Sequence, residues 1–399
     1  MRKKTFCYGG FILFSIFYLL TASRISVPGI TILRWIGSFI LIACSYVTQD
    51  ERSHWYVYIP RTYIWIAIAL VPTCLGISGQ GTVYAYQRIV SLFLVLFGLE
   101  FFFQNTCMSS LDKIKCVEMF TVICNCLMIY SAIFPNYANG RMTGVYQNAN
   151  FLSCIASFAF ASSLGFFLYH RSILKKILYS ICSVMNCYCI IQSGSRMGLV
   201  LVIFTLICAI LISQKQKDLI AAIKIILGII FLVMLFYYIA RHMNLVAIER
   251  FELFSESGDA MTRGDTWEDV YKIFMKKPIL GWGYAQVGYN VFVSYDSTYN
   301  WGMHSSYFVI LCEMGLVGSL LFLFYFIGYF IDIFKGLRYH MYTNSQRFIL
   351  KTMLLCTFIS LINGYSESFL FSVGNPMAIC FWMPFIFLHN MTDYNEIKV

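Results

Sequence analysis

The residues best suited to chemistry lie in and around one segment, residues 241–305, where arginine, histidine and aromatic residues are close together. Arg263 and Trp267 are four residues apart, so both would lie on one side of a helix. Arginine and helix N-termini both favour phosphate, so this pair suggests an anion site. His304 lies at the end of the segment, and its imidazole, which titrates near neutrality, suits a general base. A single interfacial histidine is also typical of a hydrogen-bonding anchor, so both interpretations of His304 stay open.

A short amphipathic helix is predicted to carry Arg263 and Trp267. Thr262 is the predicted N-cap, and Pro278 and Gly281 follow its predicted end. Its apolar face is predicted to consist of residues at the spacing of one helical stripe: Trp267, Val270, Tyr271 and Phe274. Such a helix suits the membrane interface, and it equally suits the outer surface of a helical bundle.

Three further polar residues are candidates because each adjoins a long apolar run. Arg141 lies in a loop headed by Pro135 and Asn136, where an arginine either anchors to lipid phosphate or takes part in chemistry. Arg196 follows a short Ser-Gly-Ser turn at the end of an apolar run. Glu367 separates the last two apolar runs, where it either orients an arginine or His304 or is simply solvated.

The amino-acid composition indicates the class of protein that contains these candidate residues. Hydrophobic residues make up 59% of the 399 residues and charged residues only 12%, about half the quarter that a soluble domain carries. Apolar runs long enough to cross a bilayer recur along the whole chain. The sequence therefore predicts an all-α polytopic integral membrane protein, and it excludes a soluble enzyme, a nucleic-acid-binding module and a secreted disulfide scaffold.

Hydropathy predicts about twelve transmembrane helices, the first of which lacks a signal-peptide cleavage site and is expected to be retained. They lie near 6–22, 30–47, 62–79, 84–103, 114–134, 150–169, 177–193, 197–213, 219–240, 306–330, 348–365 and 376–389, and the last is short enough to be re-entrant. In the short connecting segments, 15 basic residues fall on one side and 3 on the other. This asymmetry predicts that the N- and C-termini are cytoplasmic and that residues 241–305 lie on the extracytoplasmic side of the membrane.

Arg34 and Arg88 fall inside predicted spans, toward their outer ends. Each either reaches outward to the surface or lines an outward-facing cavity. No Cys/His spacing resembles a metal site, and there is neither a phosphate-binding loop nor an Asp-x-Asp pair. No metal and no cofactor are therefore expected.

The order of these motifs resembles that of the O-antigen ligase and polysaccharide polymerase family. The matching pieces are Arg141-Met142-Thr143-Gly144, Asn148-Ala149-Asn150, Ser193-Gly194-Ser195-Arg196, Glu249-Arg250-Phe251, Arg263-Gly264-Asp265-Thr266-Trp267, Pro278-Ile279-Leu280-Gly281-Trp282-Gly283, His304-Ser305-Ser306-Tyr307 and Glu313-Met314-Gly315-Leu316-Val317-Gly318. Two positions depart from the family pattern: Ala149 stands where a proline is frequent, and Ser305 where many members carry asparagine.

The resemblance implies a GT-C-like fold in the bacterial cytoplasmic membrane, with the active site facing outward. It implies that Arg196 and Arg263 contact the diphosphate of an undecaprenyl-pyrophosphate-linked oligosaccharide and that His304 activates the acceptor hydroxyl, without metal or nucleotide. The remaining candidates, expected to bind substrate, are Arg141, Arg250, Trp267 and Glu367. The expected partners are the lipid-linked oligosaccharide and membrane lipid, with a flippase and a chain-length regulator as further candidates; no nucleic acid is expected.

The function predicted from these observations is a polymerase of lipid-linked repeat units for capsule, exopolysaccharide or O-antigen. Three alternatives stay open: a ligase that moves the finished glycan to another acceptor, a lipid-linked glycan flippase or transporter, and a membrane sensor or scaffold. The predicted organisation is 1–240 with nine transmembrane helices, 241–305 as one long extracytoplasmic loop, and 306–399 with three more helices.

Overall fold

Helices make up most of the residues that the structure describes. The computed structural model describes residues 2–24, 30–48, 82–106, 108–213, 270–285, 304–339, 342–372 and 375–392. The helices are α1 Arg2–Leu19, α2 Ile30–Thr48, α3 Thr82–Asn105, α4 Ser110–Ile133, α5 Ala149–Tyr169, α6 Ile173–Gln192, α7 Arg196–Ser213, α8 over residues 270–276, α9 Ser306–Tyr339, α10 Asn344–Ser366 and α11 Met377–Thr392. The two strands, β1 Tyr137–Ala138 and β2 Arg141–Met142, form one short antiparallel hairpin.

Ten of the predicted spans coincide with helices, and the other two, 62–79 and 219–240, lie outside the described residues. Within the described residues, six helices are long and apolar enough to cross a membrane, and three shorter helices are also apolar. A multi-pass, all-helical membrane protein is thereby confirmed, whereas the total of twelve spans stays a prediction.

Polar side chains cap the first turns of two of the apolar helices. Ser109 and Asp112 form a capping box at the start of α4, and Thr343 and Gln346 form a second one at the start of α10. Each pair supplies hydrogen-bond acceptors to backbone N–H groups that the helix itself leaves without partners. The sequence therefore fixes where these two apolar helices begin.

The bundle is built around α5. In the described residues α5 is the most buried candidate span, with 78% of its apolar window inside the protein, against 33% for α6. Helix α5 packs against α4, α6, α7 and α10, while α1, α2 and α3 pack in succession beside them. Ile173, Leu174 and Val184 of α6 are exposed, which is the surface expected where a helix faces lipid tails.

Helix α9 is interrupted at Gly315, where φ is +63° and ψ is −171°. Residues 278–283 lie against the interruption and complete its hydrogen bonds. Trp282 N donates to Cys312 O (2.9 Å) and Gly283 N to Glu313 O (2.8 Å), while Leu316 N donates to Pro278 O (2.8 Å). An interrupted helix is tolerated at membrane depth when protein satisfies the freed backbone groups, and these bonds do so.

Helix α8 is attached to α9 by the same region. Val270 and Ile273 are buried against Cys312, and Trp282 Nε1 donates to Ile273 O (3.0 Å). The predicted apolar face of this helix is partly wrong, because Tyr271 is 61% exposed and Ile273 is buried instead. The break in α9 decides which side of α8 faces protein, and the sequence alone gave no sign of that break.

Candidate functional site

The β1–β2 hairpin places Arg141 beside the turn that precedes α7. Arg141 Nε donates to Ser193 O (2.7 Å), and Arg141 Nη2 donates to Asn150 Oδ1 (2.5 Å). The guanidinium group therefore joins the turn before Arg196 to the first turn of α5. Arg141 and Arg196 are each partly buried.

Asn150 continues the chain of contacts to the end of α10. Its Nδ2 donates to Glu367 Oε1 (2.5 Å), and its backbone N–H donates to Asn148 Oδ1, the N-cap of α5 (2.7 Å). We call Arg141, Asn150 and Glu367 the polar relay. It connects a cation to an anion through one amide group.

Glu367 in turn lies against the segment that contains His304. Ser306 Oγ donates to Glu367 O (2.7 Å), and it accepts from Phe369 N (3.0 Å) and Leu370 N (3.2 Å). Ser306 is the first residue of α9 and follows His304 by two positions. His304 is partly buried, while Ser305 and Ser306 are fully buried.

The turn before α7 presents Arg196 at the start of that helix. Ser195 Oγ accepts from Gly198 N (3.2 Å), and Ser193 Oγ accepts from Ser195 N (3.3 Å). Arg196 is therefore fixed in the first turn of α7 by serines on its N-terminal side. Through the polar relay, this turn is joined to the start of α9.

The loop between α1 and α2 begins beside the same region. Arg24 N donates to Val145 O (2.8 Å) and Arg24 Nε to Tyr146 O (3.1 Å), just before the start of α5. Seven of the described helices thus meet at one end of the bundle. Four of them end there (α1, α4, α6 and α10), and three begin there (α5, α7 and α9). This end contains Arg141, Arg196, His304 and Glu367.

A second polar group lies nearby, around the loop 367–372. Arg88 Nη1 donates to Ser372 Oγ (3.0 Å), and Arg88 interacts electrostatically with Glu313. Arg34 is only 4% exposed, and both arginines act electrostatically on Tyr18. Because Arg34 is buried, it does not reach outward to the surface, and the other interpretation, that it lines an outward-facing cavity, stays a prediction.

Three of the predicted site residues, Arg250, Arg263 and Trp267, lie outside the described residues. Within the described residues, no group of three or more His, Cys, Asp or Glu side chains has a metal-site arrangement.

Asn150 and Ser306 are the polar side chains that sequence reasoning passed over. Asn148 and Asn150 at the start of an apolar run are typical of a helix cap, and Asn148 is indeed the N-cap of α5. The two partners of the Asn150 amide are 9 and 217 positions away in sequence. The only available signal was the family motif, which contains both asparagines but says nothing of their contacts.

The fold and this site together define a polytopic helical membrane protein with a polar, arginine-containing site at one end of its bundle. A family model described as O-antigen ligase matches residues 181–323. The match covers less than half of the chain; it confirms the resemblance seen in the sequence and supports, in general, an enzyme of the O-antigen ligase/polymerase type. Arg196 and His304 lie inside the matched region, and Arg141, Asn150 and Glu367 lie outside it. A search of curated proteins found no match.

Proposed function

We propose that the protein polymerises lipid-linked oligosaccharide repeat units of a capsule, exopolysaccharide or O-antigen. The donor is an undecaprenyl-pyrophosphate-linked glycan and the acceptor is a sugar hydroxyl. One observation carries the proposal: the polar relay joins the turn of Arg196 to the segment of His304, at one end of a bundle of apolar helices. Both residues lie in the region that matches the O-antigen ligase family.

The reaction needs little beyond charge stabilisation and a base, because the donor is already activated. The acceptor oxygen forms a bond to the anomeric carbon of the donor, and the bond from that carbon to the diphosphate oxygen breaks. The electron pair of the broken bond leaves with undecaprenyl pyrophosphate. His304 takes the acceptor proton as general base, a role that contributes about 100- to 10,000-fold to rate.

Arg196, together with Arg263, is proposed to stabilise the leaving diphosphate. A guanidinium group is permanently charged and binds two phosphate oxygens at once, so it suits an anion that gains charge as the bond breaks. Two arginines would meet this need without a divalent metal. We therefore propose that the reaction is independent of metal and nucleotide.

The remaining candidates are proposed to contact the glycan or to hold the site. Arg141 uses Nε and Nη2 for protein acceptors, so we propose that it acts mainly by holding the Arg196 turn against α5. Arg250 and Trp267 are proposed to contact the substrate, with Trp267 as a stacking face for a sugar ring. A flippase that delivers the donor and a chain-length regulator are proposed partners.

The second candidate function is a ligase that transfers the finished glycan to a different acceptor. It is favoured by the description of the matching family as O-antigen ligase. Both functions use the same donor and the same leaving group, so the acceptor alone separates them.

Purified protein in lipid nanodiscs distinguishes the candidates. Supplied with an undecaprenyl-pyrophosphate repeat unit in EDTA and without nucleotide, the polymerase is expected to produce a ladder of products. Transfer only to an added foreign acceptor would favour the ligase. No release of undecaprenyl pyrophosphate under either condition would contradict both and favour a flippase or scaffold.

A further inference from the structure

Asn150 lies between a fixed cation and a fixed anion. Its amide oxygen accepts from Arg141 and its amide nitrogen donates to Glu367, each at 2.5 Å. A carboxylate can only accept and a guanidinium can only donate, so a side-chain amide meets both requirements in one planar group. The two charged partners belong to the hairpin before α5 and to the end of α10.

Each partner of Asn150 is bonded to a different part of the candidate site. Arg141 Nε donates to the backbone carbonyl oxygen of Ser193, three residues before Arg196. The backbone carbonyl oxygen of Glu367 accepts from the hydroxyl of Ser306, two residues after His304. The Asn150 amide therefore lies between the two segments that present Arg196 and His304, on a path of hydrogen bonds that passes through the side chain and the backbone carbonyl of Glu367.

We infer that Asn150 is a positioning residue, which sets the spacing between the Arg196 turn and the His304 segment. The inference rests on the proposed glycan transfer, in which the arginine acts on the leaving diphosphate and the histidine on the attacking hydroxyl. These two groups must face the same anomeric carbon from different directions. Displacement by about 1 Å costs roughly 100-fold in rate in such reactions.

Replacement of Asn150 by aspartate gives a variant whose behaviour depends on pH. With both carboxyl groups ionised, Asp at this position repels Glu367 and lacks the donor that Asn150 supplies. One proton taken up between them removes the repulsion and restores a donor, while an oxygen remains for Arg141. Cys154 also interacts electrostatically with Glu367, and the two segments bonded to the pair contain Arg196 and His304.

The matched control is Asn148→Asp. Asn148 is exposed and caps α5 by accepting from the backbone of Asn150, and aspartate caps a helix equally well. It introduces the same charge two residues away and leaves the Asn150 amide intact. We expect Asn148→Asp to release undecaprenyl pyrophosphate at the wild-type rate across the pH range.

The test compares kcat, KM and thermal midpoint for wild type, Asn150→Asp and Asn148→Asp in nanodiscs between acid and alkaline pH. For Asn150→Asp we expect kcat to fall by about 10- to 100-fold at alkaline pH with KM and midpoint near wild type. Its rate relative to wild type is expected to recover as the pH is lowered, since protonation restores the donor.

Three results would overturn the inference. Equal rates for the two aspartate variants would show that the amide does not position the site. A loss of rate that follows a lower thermal midpoint at every pH would show a purely structural role. Absence of turnover by the wild-type protein would overturn the proposed function, and the inference with it.

Discussion

Arg141 binds two acceptors in different directions, which an arginine can do because its donors form a rigid planar fork. Nε donates to the backbone carbonyl oxygen of Ser193, and Nη2 donates to the side-chain amide oxygen of Asn150. A lysine carries a single ammonium on a flexible stem and cannot keep both bonds in this arrangement. The exchange of arginine for lysine is therefore not conservative at this position.

Arg141→Lys is predicted to lower kcat by about 10- to 100-fold, because a hydrogen bond to a charged group contributes about 1.5–3 kcal/mol. Initial rates of undecaprenyl pyrophosphate release, normalised to protein in nanodiscs, measure the effect. Arg171→Lys is the control, since Arg171 is exposed in the α5–α6 loop, at the opposite ends of those helices. Equal rates for the two lysine variants would show that the fork is not needed.

At the level of single residues, the sequence indicated candidate side chains for the chemistry but not how they connect. Arg196 and Glu367 were candidates because each adjoins an apolar run, and His304 because its imidazole suits a general base. The link through Asn150 was not predictable, because hydrogen bonds between residues 217 positions apart leave no local pattern. Whether Arg263 shares this site stays a prediction.

Among the helices, the interruption of α9 is the point where residues 278–283 join the bundle. Gly281 and Gly315 both have positive φ, and each lies against the backbone of the other. A Cβ added at Gly281 would lie 2.5 Å from Gly315 N, and one added at Gly315 would lie 2.6 Å from Gly281 N. The glycines of two separate family motifs are thus explained by one contact.

Gly315→Ala is predicted to lower the thermal midpoint, because the added methyl group has no room and the backbone is in a region that strains other residues by about 1–3 kcal/mol. Gly140→Ala is the control. Gly140 also has positive φ (+72°), but a Cβ there would meet no atom within 4 Å. Nanodisc melting curves that shift equally for both variants would show that φ strain alone, and not the contact with Gly281, explains the loss.

Hydropathy predicted the apolar helices of the described residues, but it did not predict the break in α9 at Gly315. Each apolar run in the described residues forms a helix, because an apolar segment in a bilayer must satisfy its own backbone hydrogen bonds. Residues 306–339 are apolar on both sides of Gly315, so their composition contains no stop signal. The break at Gly315 depends on hydrogen bonds with residues 278–283, which come into contact with α9 only in the folded protein.

For the whole molecule, the two ends of the bundle are chemically different. The polar relay occupies one end. At the other, Lys4 Nζ donates to Asp112 Oδ2 (2.6 Å), and Glu118 Oε1 contacts His170 Nε2 (2.8 Å) and accepts from Lys175 Nζ (3.2 Å). The distribution of basic residues predicts that this second end is cytoplasmic and that the relay faces outward.

Labelling with a membrane-impermeant maleimide tests this orientation in intact cells. Asn139 at the hairpin tip and Ser172 in the α5–α6 loop are both exposed and lie at opposite ends. Asn139→Cys is expected to be labelled from outside, and Ser172→Cys only after lysis, each measured above the background of the native cysteines. The reverse pattern would place the relay on the cytoplasmic side and contradict an outward-facing site.

The most direct test of the central claim is the rate at which reconstituted protein releases undecaprenyl pyrophosphate from a lipid-linked repeat unit, compared between wild type and His304→Ala. If His304 is the general base beside a diphosphate-binding site, the variant should insert into nanodiscs normally and lose roughly 100-fold or more of the rate. Release at the wild-type rate by His304→Ala would contradict the proposed site.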